Sequence, residues 1–218
     1  MGKKRLEDAL TKTNINVKVE YRSFQLDPTQ PKDINMNLSE AIAKKYGISI
    51  EQSKANNENL KKMAKEVGLD FQLDTLILTN TFDAHRLTML AKKHGLMNEM
   101  TDRLLHAYYT ESKHIGDHQT LVELAKEVGL NEEEVRKMLA SDDMAAEVHA
   151  DQQEASDLGI RSIPFFLINR KYAITGAQPT ETFIQAIEEI ANQDGPFTEV
   201  TDEGITCDEN GCEIPNKR

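Results

Sequence analysis

The stretch that most constrains this chain is Ser162-Ile163-Pro164-Phe165-Phe166-Leu167-Ile168-Asn169, continued by Lys171-Tyr172-Ala173-Ile174-Thr175-Gly176. Phe165 to Ile168 is an apolar run that stops at Asn169-Arg170, and Tyr172 to Thr175 is a second short run closed by a glycine. Such a pair of runs around a polar turn reads as a buried β-hairpin. Pro164 suits the first residue of a strand, where its missing N–H lies outside the ladder, and an X-Pro bond is where a cis peptide costs only about 0.5–1 kcal/mol. After the hairpin, Gln178-Pro179-Thr180-Glu181 opens a helix with proline at its first position and apolar residues at Phe183, Ile184, Ile187, Ile190 and Ala191. The chain thus presents a proline, a strand, a tight turn, a second strand, a glycine and an amphipathic helix, in that order.

Upstream of this block the pattern is almost wholly helical from residue 36 to about 157. Gly47-Ile48, Gly68-Leu69, Gly95-Leu96, Gly129-Leu130 and Gly159-Ile160 each place glycine and an apolar residue just beyond a helical stretch, the signature of a left-handed C-cap with its closing hydrophobic contact. Ser49 with Gln52, and Asn131 with Glu134, have the spacing of a capping box. Ala-Lys-Glu-Val-Gly-Leu occurs at Ala64 and again at Ala125, and a shared way of ending a helix accounts for it better than an internal repeat. Residues 15–24 alternate Ile15, Val17, Val19 and Tyr21 with Asn16, Lys18, Glu20 and Arg22, the period of a half-exposed strand, ended by Asp27-Pro28. Residues 2–10 have helical spacing at Leu6, Ala9 and Leu10 but nothing ahead of them to serve as an N-cap.

The chain of 218 residues suffices for one substantial domain or a domain with an insertion, and 39% hydrophobic with 29% charged residues describes a soluble globular protein. A net charge of −11 and a pI near 5.1 argue against binding a phosphate backbone. Met1-Gly2-Lys3-Lys4-Arg5-Leu6-Glu7 lacks the apolar region of a secretory signal as written, Leu6 breaks the myristoylation pattern, and no apolar run reaches membrane-spanning length. A cytoplasmic protein without nucleic-acid or membrane partners is expected.

The closing half of a thioredoxin fold has the order seen from Pro164 to Ala191. The chain resembles the FrnE-type DsbA-family oxidoreductases more closely when Asn80-Thr81-Phe82-Asp83-Ala84-His85-Arg86-Leu87, Ala107-Tyr108-Tyr109-Thr110-Glu111, Ile115-Gly116-Asp117-His118 and Gly176-Ala177-Gln178-Pro179 are added. The resemblance runs from the first residues to about Ala191. It implies an α/β, thioredoxin-like fold of the DsbA type with a large all-helical insertion. The parts would be 1–35 and 149–195 of the thioredoxin-like domain, 36–148 as the insertion, and 196–218 as an acidic tail. Pro164 would be a cis-proline beside the active site, the Ile163 backbone would pair with an extended substrate, and His85 and Arg86 would line the facing groove. The family carries Cys-x-x-Cys at the start of its first helix, followed by a segment that Gly2-Lys3-Lys4-Arg5-Leu6-Glu7 matches. The catalytic pair and the first β-strand are therefore expected just upstream of Met1, with no catalytic cysteine in the chain as given.

Cys207 and Cys212, separated by Asp208-Glu209-Asn210-Gly211, are the thiols present, and Asn-Gly lets such a loop turn back on itself. Closing so short a loop stabilises by only about 2 kcal/mol, so a merely structural disulfide is weakly motivated. The pair reads either as an accessory redox couple or as unremarkable thiols on a tail with nine acidic and two basic residues from Glu188 onward, a setting that raises thiol pKa. Zinc is not expected, since a tetrahedral site needs further ligands, and the six histidines read as packing or surface residues. Neither metal nor cofactor is expected, glutathione entering only as a co-substrate. Thiol–disulfide exchange on protein or small-molecule thiols is the leading reading. The alternatives are a glutathione-dependent isomerase similar to 2-hydroxychromene-2-carboxylate isomerases, and a non-catalytic, chaperone-like peptide binder.

Overall fold

The computed structural model describes residues 1–194 and the backbone of 206–208 and 211–213. In chain order the elements are helices α1 (Gly2–Lys12), α2 (Leu38–Tyr46), α3 (Ile50–Lys65), α4 (Phe82–Lys93), α5 (Met97–Tyr109), α6 (His118–Glu127), α7 (Glu132–Leu139) and α8 (Ala145–Asp157). Strands β1 (Phe165–Ile168) and β2 (Tyr172–Thr175), helix α9 (Thr180–Asp194), and strands β3 (Thr206–Asp208) and β4 (Gly211–Glu213) follow. The chain divides into two compact units: Met1 with Val19–Gly176, and Gly2–Lys18 with Ala177–Arg218. The hairpin therefore groups with helices α2 to α8, and α9 with α1.

All five Gly-apolar pairs end helices as their spacing predicts, with φ between 66° and 92° at Gly47, Gly68, Gly95, Gly129 and Gly159. In each, the residue after glycine donates its N–H to an alanine carbonyl: Ile48 to Ala43, Leu69 to Ala64, Leu96 to Ala91, Leu130 to Ala125 and Ile160 to Ala155. These alanines are all buried, and Ala91 and Ala125 belong to the main core. The repeated hexapeptide is two instances of this Ala-x-x-x-Gly-apolar stop. Ser49 and Gln52 form a full capping box, as do Asn37 and Glu40, whereas Asn131 accepts from both Glu133 and Glu134 without the reciprocal bond.

In the larger unit, helices α4 to α8 close one core around Leu87, Met100, Leu121, Leu124, Val135 and Val148. A smaller core joins Leu73, Leu76 and Leu78 to Leu38, Ala41 and Leu60 of α2 and α3, and Tyr108 touches both cores. Phe71 stacks on Tyr109 at 4.7 Å and Tyr108 meets Tyr109 edge-on at 5.0 Å. In the smaller unit α1 packs on α9, burying Ala9 against a face that carries Phe183, Ile187 and Ile190, and Arg5 donates to the Ala177 carbonyl at 2.5 Å. Helix α9 starts at Thr180, and the Pro179 carbonyl accepts from Thr182, so proline stands one place earlier than expected.

Two expectations from sequence are corrected. Residues 15–24 are extended but form no strand in the described structure. Ile15, Val17 and Tyr21 are half-buried and Asn16, Lys18, Glu20 and Arg22 exposed, but Val19 is 40% exposed, so the alternation survives only in part and without a ladder. A period of two sets which way side chains face; a strand also needs a neighbour's N–H and C=O groups. The β1–β2 hairpin is two-stranded and, although expected to be buried, has no fully buried residue; Leu167 is 39% exposed. A two-stranded ladder with no third strand beside it leaves one face open.

Gly116 is required by close approach. A Cβ there would overlap the Thr79 hydroxyl, which donates to the Lys32 carbonyl at 2.7 Å, and would press on the Asn80 carbonyl at 3.2 Å. Gly129, by contrast, has φ +92° and open space where a Cβ would point. Urea unfolding should show Gly116→Ala losing about 2–3 kcal/mol through overpacking, against about 1 kcal/mol for Gly129→Ala, where only the left-handed backbone is strained.

Candidate functional site

The hairpin begins at the cis Ile163–Pro164 bond. The Gly176 N–H closes the ladder on the Pro164 carbonyl at 2.8 Å, continuing the antiparallel register Phe165↔Thr175, Phe166↔Ile174, Leu167↔Ala173 and Ile168↔Tyr172. At the other end Lys171 donates to the Ile168 carbonyl at 3.0 Å around Asn169 (φ 51°) and Arg170 (φ 53°), the mirror-image turn that matches strand twist. Ile163, just outside the ladder, is 46% exposed. Among the described residues no hydrogen bond reaches its backbone.

Charged residues hold the turn end of the hairpin and the extended chain before it. Asp151 of α8 is 5% exposed and accepts from Arg22 Nη1 at 3.0 Å and from the Ser23 N–H at 2.7 Å. Arg22 also meets Glu20 at 3.3 Å and Glu154 at 3.7 Å; Glu20 pairs with Lys92 of α4 at 2.6 Å, and Glu154 with Arg170 at 2.7 Å. One continuous network thus runs from α4 through residues 20–23 to α8 and the hairpin turn. Beside it, Gln152 donates to Gln25 at 3.3 Å and Gln25 to Asn80 at 3.1 Å. Asn80 in turn donates to the carbonyls of Gln30 (2.7 Å) and Pro28 (3.3 Å), and its Oδ1 accepts from the Phe82 N–H at 2.9 Å. Asn80 thereby caps α4 from outside the helix, while Thr81, the residue next to the helix, makes no side-chain cap.

His85 and Arg86 have separate surroundings. Arg86 is 5% exposed, and its guanidinium donates to the carbonyls of Asp143 (2.9 Å), Met138 (2.5 Å) and Ser141 and to Asp83 (2.8 Å). It therefore clamps the α7–α8 connection, where Met144 has φ 66°. Asp83 also binds His118 at 2.7 Å. His85 is half-buried; burial pushes its pKa down to about 4, opposed by the negative charge of Asp151, while Phe82 tilts against His149 at 5.1 Å. Among the described residues neither His85 nor Arg86 is hydrogen-bonded or ion-paired to Ile163 or Pro164, and no group of three or more metal-binding side chains is found. Asp151 and Arg22 were not singled out from sequence, since nothing local distinguishes a buried carboxylate from the solvated ones around it, whereas Asn80-Thr81 ahead of Phe82 does read as a helix cap and Asn80 supplies it.

The strands β3 and β4 pair antiparallel with Cys207 opposite Cys212, as the Asn-Gly turn implied. The side chains of this pair lie outside the described residues.

The profile of the DSBA-like thioredoxin domain matches residues 1–188. The chain belongs to that family, and it has its helix-rich α/β thioredoxin fold with a helical insertion and a small two-stranded sheet. A probable DsbA oxidoreductase from Streptomyces coelicolor is 36% identical over 99% of this chain and 93% of its own, with a TM-score of 0.85. The cytosolic disulfide reductase DsbM from Pseudomonas aeruginosa shares the fold at 16% identity, covering 88% of this chain and 92% of its own, with a TM-score of 0.57; it has also been solved with GSH. No curated protein matches the sequence. No described helix is long and apolar enough to cross a membrane.

The pH dependence of stability should report His85. The unfolded chain takes up this proton near 6.5 and the folded chain only near 4, so the contribution is present above pH 6.5 and lost as pH falls through 4. Between pH 7 and pH 4 the wild type should lose about 2 kcal/mol more than His85→Gln. Asp151→Asn should cost about 2 kcal/mol at pH 7 and, by removing a negative charge, move the His85 titration in NMR still lower.

Proposed function

We propose that this protein is a thiol–disulfide oxidoreductase of the FrnE-type branch of the DsbA family, acting on protein or small-molecule thiols. The observation that carries the reading is Ile163, exposed at the open end of the hairpin with its backbone groups unused, next to Pro164 in a chain of this family. An extended substrate segment flanking a cysteine would pair with that backbone, which sets the distance between its sulfur and the attacking thiolate. Exchange then proceeds by thiolate attack on one sulfur of a disulfide, release of the other sulfur as a thiolate, and resolution of the mixed disulfide by a second thiol. In this reading the attacking dithiol would be the Cys-x-x-Cys that the resemblance implies, which is not among residues 1–218, and Cys207 and Cys212 would exchange with it as an accessory pair. Likeness in fold to a cytosolic disulfide reductase solved with GSH supports glutathione as co-substrate and a cytoplasmic setting.

The test is the intact mass of the protein from its own cells after reduction and alkylation, with its rate of exchange on a glutathione–peptide mixed disulfide. A mass above 24.6 kDa, four alkylated thiols, and exchange abolished by alkylation are expected. Two alkylated thiols with exchange no faster than free thiol would overturn the reading.

A further inference from the structure

The stretch from Leu158 to Thr180, which carries the cis Ile163–Pro164 bond and the hairpin, holds three of the chain's 26 basic residues and none of its 37 acidic ones. It is therefore locally basic in a chain whose net charge is −11. Two of the three cations are occupied at the turn: Arg170 pairs with Glu154 at 2.7 Å, and Lys171 lies over the Tyr172 ring at 4.8 Å. Arg161 is not. It is exposed, stands two residues before Ile163, and among the described residues makes neither hydrogen bond nor ion pair. The other described arginines are all engaged. Arg5 donates to the Ala177 carbonyl, Arg22 to Asp151, Arg86 to the α7–α8 carbonyls, Arg103 to Glu111 and Glu127, and Arg136 to Glu132. The carboxylate nearest to Arg161 in sequence, Asp157, accepts instead from Gln153 at 2.7 Å.

A guanidinium stays charged at every physiological pH and presents a planar fork of donors that fits a carboxylate through two parallel bonds. Two residues of chain span at most about 7 Å, so the Arg161 side chain flanks whatever pairs with the Ile163 backbone. We propose that Arg161 is a specificity-determining residue, which selects thiol substrates carrying a carboxylate within about two residues of the sulfur. That carboxylate is an acidic residue beside the cysteine of a polypeptide, or the glycine carboxylate of glutathione. The inference rests on the reading of the hairpin mouth as the place where substrate pairs. Main-chain pairing accepts any extended segment, so discrimination there falls to the charge beside it. Arg170 and Lys171 stand at the far end of the four-pair ladder, about 13 Å along it. That exceeds the screening length of about 8 Å at physiological salt, so they contribute little at the mouth.

The probes carry S-methylcysteine in place of cysteine and cannot exchange disulfides. They are acetyl-Ala-Asp-(S-methyl)Cys-Asp-Ala-amide, the same peptide with Asn for both Asp, S-methylglutathione, and S-methylglutathione amidated at its glycine. Each is titrated into 15N-labelled protein, and shifts at the amides of Arg161, Ser162, Ile163 and Gly176 are the readout. A carboxylate probe should bind about three- to fivefold tighter than its amide at low ionic strength, the range of an exposed ion pair, and the advantage should shrink as salt is raised. Arg161→Gln should erase the advantage and leave the affinity of the Asn peptide unchanged. Arg161→Lys should keep part of it, and Lys171→Gln all of it. An advantage in the peptide pair alone assigns the site to acidic polypeptides and one in the glutathione pair alone to the small thiol; either supports the proposal. No shift at millimolar probe, equal affinities within both pairs, or an advantage that survives Arg161→Gln would each sink it. Because the probes have no thiol, thiol exchange without a carboxylate preference overturns this inference alone, and a preference without exchange overturns the oxidoreductase reading alone.

Discussion

The larger unit depends on one buried carboxylate. Asp151 sits on α8 at 5% exposure, where an unpaired charge would be prohibitive, and the structure surrounds it with the Arg22 guanidinium and the Ser23 N–H. The satisfaction is mutual, since residues 20–25 have no ladder to occupy their own backbone. Arg86 makes the arrangement possible. By gathering three carbonyls of the α7–α8 connection it sets where α8 begins, and so where Asp151 meets the extended chain. Glu20, Glu154 and Arg170 carry the same network to the hairpin turn, but as half-exposed pairs they orient more than they stabilise.

Placing charge around the hairpin leaves its mouth open. Pro164 cannot donate, its carbonyl is taken by Gly176, and Ile163 is left outside the ladder with its side chain in solvent.

The helical part was legible in the sequence to a fine level. Gly followed by an apolar residue marked five helix ends, and Ser49-x-x-Gln52 a helix start, because caps are local: the residues that satisfy the terminal N–H and C=O groups lie within a few positions of them. The alanine at the start of each stop signal was equally visible, and that its carbonyl accepts from the residue after glycine while its side chain is buried emerged only in the structure. The strand expected at 15–24 shows the limit. Its alternation was real and the exposure follows it except at Val19, yet a strand is defined by a partner at a distance that no local pattern supplies. His85 and Arg86, adjacent in one motif, illustrate the same limit at the site. One is a half-buried neutral imidazole beside Asp151 and the other a clamp on a helix connection, and their shared motif did not foretell the division of labour.

By itself, then, the sequence determined the family, the order of elements, the helix boundaries, the hairpin with its leading proline and the facing of Cys207 and Cys212 across a tight turn. All of these follow from interactions within a few residues or from a motif carried whole. Tertiary structure alone decided which carboxylate is buried, which arginine is spent on carbonyls, and that residues 15–24 form no ladder. Those outcomes depend on burial and on hydrogen-bond partners dozens of residues away, where a single change of neighbour turns a solvated charge into the anchor of a fold.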